Sequence, residues 1–201
     1  MAKIHEKKSL LMHTCCAPCA TWPLEFLNEK FDVTIMYNNS NIYPETEYQI
    51  RKNEIVEYVK IFNEKHHSNL KIIVAPYDNL AFTKKIAILK DEPEGGKRCR
   101  YCYSLRMREA YQYAHQHNFD YFCTVMTISR QKDSQIMNQI GHSLERLYAP
   151  TKYFYSDFKK KNGNEKGVKI ASEYNMYRQL YCGCQFSYEE YLKSDRYLKN
   201  K

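Results

Sequence analysis

Seven of the eight cysteines in this 201-residue chain fall in three short clusters. They are Cys15-Cys16-Ala17-Pro18-Cys19, Cys99-Arg100-Tyr101-Cys102 and Cys182-Gly183-Cys184. Where thiols stay reduced, clustered cysteines bind metal or do redox work, because the thiolate is both ligand and nucleophile. Three chemistries fit. Cys16 and Cys19 with Cys99 and Cys102 make two Cys-x-x-Cys pairs suited to a four-thiolate structural zinc. Cys16-Ala17-Pro18-Cys19 alone, between a strand and a helix, has the arrangement of a thiol–disulfide exchange motif, but leaves the other clusters unexplained. The third is an iron–sulfur cluster held by four thiolates from two clusters, with Cys182 and Cys184 left as an electron-storing dithiol. Adjacent Cys15 and Cys16 suit a bent zinc knuckle poorly, whereas neighbouring thiolates can reach different irons of one cluster. Spacing favours this third chemistry and leaves the other two open. Cys123, alone in Tyr121-Phe122-Cys123-Thr124-Val125, reads as a small core residue. His13 reads as a structural histidine, with proton donation as the alternative.

The elements that must position these thiols follow from patterning. Ser9–His13, Val33–Tyr37, Lys71–Ala75 and Tyr121–Met126 are short β-rich runs. Between them, Ile55, Tyr58, Val59 and Phe62 share one helix face, with Pro44 near that helix's start. Met107, Ala110, Tyr111 and Ala114 form a second stripe, and Ile136, Ile140, Leu144 and Leu147 a third. Ser187 with Glu190 reads as a capping box opening the last helix. Strands separated by helices imply right-handed crossovers and a parallel sheet. The expectation is one α/β domain over 1–201, a parallel sheet sandwiched by helices over about 1–150. A helical C-terminal extension with the Cys-Gly-Cys motif would occupy about 151–201. Asp91–Lys97 is a turn-rich loop before Cys99, and Lys159–Lys166 a charged, mobile loop. The first cluster follows the first strand, at the carboxyl edge where open α/β sheets present ligands.

Composition narrows the function. Eight cysteines in 201 residues is well under the roughly 8–10% of a small disulfide scaffold. No apolar run approaches the roughly 18 residues of a membrane span. Met1–Lys8 is charged and followed only by the short run Leu10–Met12, which does not read as a signal peptide. A cytoplasmic protein is expected. The six glycines begin at Gly95, so neither a Gly-x-Gly-x-x-Gly nor a Walker A loop exists in the first half of the chain. A nucleotide-dependent dehydrogenase and a P-loop ATPase are thereby excluded. The net charge is +8, with 19 tyrosines, nine phenylalanines and one tryptophan. Lys97, Arg98, Arg100, Arg106 and Arg108 lie in a stretch without an acid, and Lys159, Lys160, Lys161, Lys166 and Lys169 form a second basic group. Basic clusters interleaved with aromatics suit RNA, with Lys97, Arg98, Arg100 and Lys159–Lys161 as its expected contacts.

The sequence resembles the cobalamin-independent epoxyqueuosine reductases, the QueH family, over nearly its whole length. The resemblance is carried by His13-Thr-Cys-Cys-Ala-Pro-Cys19, by Tyr37-Asn-Asn-Ser-Asn-Ile-Tyr-Pro44 with Glu47-Tyr48 and Arg51, and by Arg98-Cys-Arg-Tyr-Cys-Tyr103 with Arg106. Phe119-Asp120, Asp157-Phe158-Lys159-Lys160 and Tyr177-Arg-Gln-Leu-Tyr-Cys-Gly-Cys-Gln-Phe-Ser187 complete it. It implies reduction of epoxyqueuosine to queuosine in tRNA, with a nucleotide-hydrolase-like, Rossmann-like α/β fold. By the same resemblance Cys15, Cys16, Cys99 and Cys102 hold a 4Fe-4S cluster, and Cys182 and Cys184 form a redox-active disulfide. Cys19 is then placed to hold an additional iron or to serve structurally. Tyr37, Tyr48, His13 and Asp157 become candidates for proton donation or substrate contact, and Arg98, Lys159 and Lys160 for RNA contact. An external electron donor is also implied. The competing class is a zinc-stabilised RNA-binding protein without catalysis.

Overall fold

The computed structural model describes residues 7–199. Segment 1–6, part of the N-terminal stretch considered above, lies outside them. Five strands form one parallel sheet in the order β3-β2-β1-β4-β5. They are β1 (Lys8–Thr14), β2 (Phe31–Tyr37), β3 (Lys71–Val74), β4 (Tyr121–Thr124) and β5 (Lys152–Tyr153). The helices are α1 (Ala17–Asn28), α2 (Glu45–His66), α3 (Asn79–Ile86), α4 (Lys97–Gln116), α5 (Ser134–Glu145), α6 (Gly163–Glu173), α7 (Gln185–Leu192) and α8 (Asp195–Lys199).

Strand side chains alternate between the two faces, and the layers follow. Leu10 and Met12 of β1, with Val33, Ile35 and Tyr37 of β2, point into a core shared with α1, α2 and α6. Leu11, Met36 and Phe122 point the other way, against α3, α4 and α5. The stripes expected on α2 and α4 are the faces buried there, and Met107, Ala110, Tyr111 and Ala114 have no exposed surface. Helix α2 carries Glu45 and Glu47 in its first turn and Lys65 and His66 in its last, matching its dipole. Cys123 lies fully buried in the first core. Among the described residues no helix is long and apolar enough to cross a membrane.

Four local expectations are corrected. The sheet takes its fifth strand from the segment read as an extension: β5 pairs with β4, Tyr121 opposite Lys152 and Phe122 opposite Tyr153. Two residues are too few to show a strand pattern. The Tyr153 ring lies flat on Gly141 of α5, within 2.2 Å of where a Cβ would stand. That close approach sets the helix rotation, so its buried face is Met137, Asn138, Gly141 and Leu144. Ile136 and Ile140 are only half-buried, and Leu147 lies beyond the helix and is exposed. Helix α7 is capped at Cys184, three residues before Ser187. The Ser187 hydroxyl donates back to the Cys184 carbonyl and accepts from the Gly183 amide. Finally, the charged segment 159–166 is a turn leading into the first turns of α6.

Asp120 ties the start of β1 to the start of β4. Its carboxylate accepts from the Ser9 amide and hydroxyl, both at 2.9 Å, and from Lys8 Nζ at 3.0 Å. These bonds, the amide foremost, hold its pKa below the usual value. A depressed folded-state pKa gives stability that is full above the unfolded value of about 3.9 and is lost as pH falls through the folded value. Asp120→Asn should therefore lower the melting temperature at neutral pH, the deficit closing in acid below pH 4. A variant melting like the wild type at neutral pH would contradict this.

Candidate metal and redox site

Parallel strands end together, and here three helices begin near that carboxyl edge with cysteines in their opening positions. Cys16 is the N-cap of α1 and Cys19 its third residue; Cys99 is the third residue of α4; Cys184 is the N-cap of α7. None of these caps uses a side-chain hydrogen bond. The positive end of each helix acts in favour of a thiolate there, yet Cys16, Cys19, Cys99 and Cys184 are all raised on balance, Cys99 and Cys184 chiefly by burial.

The tight group is Cys15, Cys16 and Cys19, whose sulfurs all lie within 4.8 Å of one another, Cys15 and Cys16 at 3.9 Å. Three soft donors this close can bind a metal ion. Hydrogen bonds from Cys16 and then Cys19 lower the pKa of Cys15 well below the ordinary thiol value, aided by Lys132 and Arg106. Those bonds, with burial, push Cys16 up to about 12 and Cys19 well above its ordinary value. Gln179 Nε2 donates to Cys16 Sγ at 3.6 Å.

Cys99 and Cys102 stand apart from that triad and face the third cluster. Burial raises both, Cys102 to about 12, and the neighbouring Cys182 thiol adds to the rise. The Gly95 amide donates to Cys99 Sγ at 3.2 Å. The two halves adjoin: Cys15 packs on the same apolar cluster as Cys99 and Cys102. Half-buried Lys132 interacts with Cys182 first, then with Cys15 and Cys19. All eight cysteines are free thiols in this structure.

A strap, residues 177–187, holds Cys182 and Cys184 over this edge. Arg51, paired with Glu47 at 2.7 Å, donates to the carbonyls of Cys182 (3.1 Å) and Tyr181 (3.3 Å). Glu47 accepts the Tyr177 hydroxyl at 2.8 Å. The Gly183 carbonyl accepts the Tyr43 amide at 2.7 Å. Gly183 has φ +131, which only glycine adopts without strain, and Arg51 Nη1 would stand 3.1 Å from any Cβ there. On the other side Arg98 lies under the Phe186 ring at 4.5 Å and reaches Glu190 at 3.8 Å.

Several sequence-selected residues have other duties. Arg98 is buried and donates to the Lys90 (2.7 Å) and Glu92 (2.5 Å) carbonyls, so it clasps α7 to the loop before α4 and offers no surface charge. Lys159 spends its ammonium on the carbonyls of Thr127, Ser129 and Lys132. Tyr37 and Tyr48 are buried, the Tyr37 hydroxyl donating to the Tyr48 carbonyl at 3.2 Å. Asp157 accepts from Ser134 at 3.0 Å. Lys160 remains exposed. Burial, then Arg106, lowers His13 to about 3, so it is neutral, and its Nδ1 lies 3.0 Å from Thr124 Oγ1. Sequence reading missed Lys132 and gave Gln179 no role of its own; their signal is position, one after β4 and the other beside the third cysteine cluster.

The family model described as epoxyqueuosine reductase QueH matches residues 10–190. Epoxyqueuosine reductase QueH of Streptococcus pyogenes is 42% identical over 191 residues, 93% of this chain and 74% of that protein. The protein of the same description from Staphylococcus aureus is 40% identical over 183 residues, 90% of this chain and 76% of its own. That from Thermotoga maritima is 31% identical over 182 residues, 89% of this chain and 90% of its own. With the match running through all three cysteine clusters, the chain belongs to the epoxyqueuosine reductase QueH family.

Proposed function

We propose that the chain reduces epoxyqueuosine to queuosine within tRNA, using the Cys182–Cys184 dithiol as the local source of two electrons. The observation that supports this reading most is the gathering of three cysteine clusters at one edge of the sheet, one of them held there by the Arg51 strap. The overall change balances without another reductant. The epoxide oxygen leaves as water, taking two protons and two electrons, and the ring carbons become an alkene. The dithiol loses two protons and two electrons and becomes a disulfide, which an external donor then reduces.

The donor set fits an iron–sulfur group. It is soft, and Arg51, Arg106 and Lys132 offset thiolate charge nearby. Cys15, Cys16, Cys99 and Cys102 would hold a 4Fe-4S cluster, and Cys19 would be left to hold an additional iron beside Cys15 and Cys16. Such a group, when bound, would supply single-electron transfer and Lewis-acid iron. The chain's own part is different. Lys132 sets a positive charge among the thiols, the Arg51 strap keeps the dithiol at the site, and buried walls exclude water.

Anaerobically purified protein should be brown, carry iron and convert epoxyqueuosine-containing tRNA. Colourless, zinc-loaded protein that binds tRNA without converting it would overturn this reading in favour of a structural zinc.

A further inference from the structure

Beta strand β1 connects onward to β2 on one side and lies against β4 on the other. Ligands of open α/β sheets bind in the crevice outside the strand ends at that switch point. The chain leaving β1 there is Cys15–Cys19; the chain leaving β4 is Val125–Lys132. Between them and α6 lies a cleft of about 640 Å³, within the roughly 300–1,000 Å³ of small-ligand sites.

Resting on the reduction reading above, we propose that this cleft receives the substrate nucleoside, while Arg130, Lys169 and Arg178 at its rim take flanking RNA phosphates. Three observations converge. Cys19 lines the cleft, and so does Gln179, whose amide donates to Cys16 Sγ at 3.6 Å, so cleft and cysteine triad share a wall. Ile128, Val168 and Ala171 give the apolar surface that a base and an epoxide-bearing carbocycle need. The rim cations face one acid, Glu165, which pairs with Arg130; both are exposed, so the pair is weak and a phosphate can replace the carboxylate. Two other clefts, of about 380 and 360 Å³, are lined without any cysteine and cannot present a nucleoside to the thiols. Gln179, with a donor and an acceptor in the wall, is placed to read a polar edge of the nucleoside.

The test uses the full chain with its metal loaded. Val168 is 37% exposed on α6, so Val168→Trp fills the cleft from its solvent side. Conversion should fall about a hundredfold or more, since misplacing reacting groups by an ångström costs on this order. Metal content, visible spectrum and tRNA affinity should stay as in the wild type. Lys169→Glu with Arg178→Glu should weaken tRNA binding and flatten its log–log salt dependence by about 1.4–1.8, two contacts' worth. Lys71→Glu with Lys84→Glu, the same charge change at exposed positions on β3 and α3, should leave binding unchanged. Wild-type turnover by the Trp variant would overturn the cleft assignment, as would equal weakening by the two charge-reversed pairs. Loaded wild-type protein that binds tRNA but converts none would instead overturn the reduction reading. The salt measurement needs no turnover and decides the cleft separately.

Discussion

Replacing Cys182 and Cys184 together by Ser should leave iron content and visible spectrum largely intact while conversion of epoxyqueuosine-tRNA falls by orders of magnitude. The reasoning starts from connectivity. One residue separates the two sulfurs, and that residue is Gly183 at φ +131, a backbone that lets a short disulfide ring close. Two electrons and two protons are needed at the epoxide, and this pair releases that number on forming one S–S bond. Removing it removes the reservoir and not the thiolates of the other clusters. The tight triad of Cys15, Cys16 and Cys19 contains neither residue. If the pair were metal ligands, iron would be lost first and activity with it. Measuring iron per chain beside conversion separates the cases: lost iron refutes storage as the pair's sole role, and full activity refutes any catalytic role.

The second large effect is structural and reaches the same pair. Arg51→Met should destabilise the protein by about 3–5 kcal/mol, the usual cost of leaving one member of a buried ion pair uncompensated. At about 2–4 °C per kcal/mol for a chain of this size, the melting temperature should drop by about 6–20 °C. Arg51 and Glu47 side chains are 2% and 9% exposed, and the guanidinium also carries the Cys182 and Tyr181 carbonyls. Lysine cannot reproduce that fork, so Arg51→Lys should recover little of the loss. Glu47→Leu combined with Arg51→Met should recover much of the stability, because no lone charge is left buried. It should not recover conversion, because the Cys182 and Tyr181 carbonyls then lose the donor that fixes that part of the strap. Thermal melts and conversion assays on the three variants check this. Full activity in the doubly substituted protein would show that the strap holds without Arg51.

The sequence by itself determined what local pattern encodes. Strands β1 to β4 are dense β-rich runs, and α2 and α4 repeat apolar residues at helical spacing, so burial on one face specifies them without knowledge of a partner. The three cysteine clusters were equally legible, because their spacing within each cluster is local. The tertiary structure decided whatever depends on which segments meet. Beta strand β5 exists because Phe122 and Tyr121 offer an edge to Tyr153 and Lys152, and α5 turns to the face that Gly141 leaves open to the Tyr153 ring. Charge did not reveal duty. Arg98 and Lys159 look like surface cations in the chain and become clasps on backbone carbonyls, because nearby loops leave those carbonyls to be satisfied. The same holds for the site. That Cys15, Cys16 and Cys19 draw together, that Cys99 and Cys102 turn toward Cys182 and Cys184, and that a cleft opens beside Cys19 all follow from where crossovers set three helix starts. Spacing along one chain cannot encode that convergence, since its distances run between residues more than a hundred positions apart, as from Cys16 to Gln179.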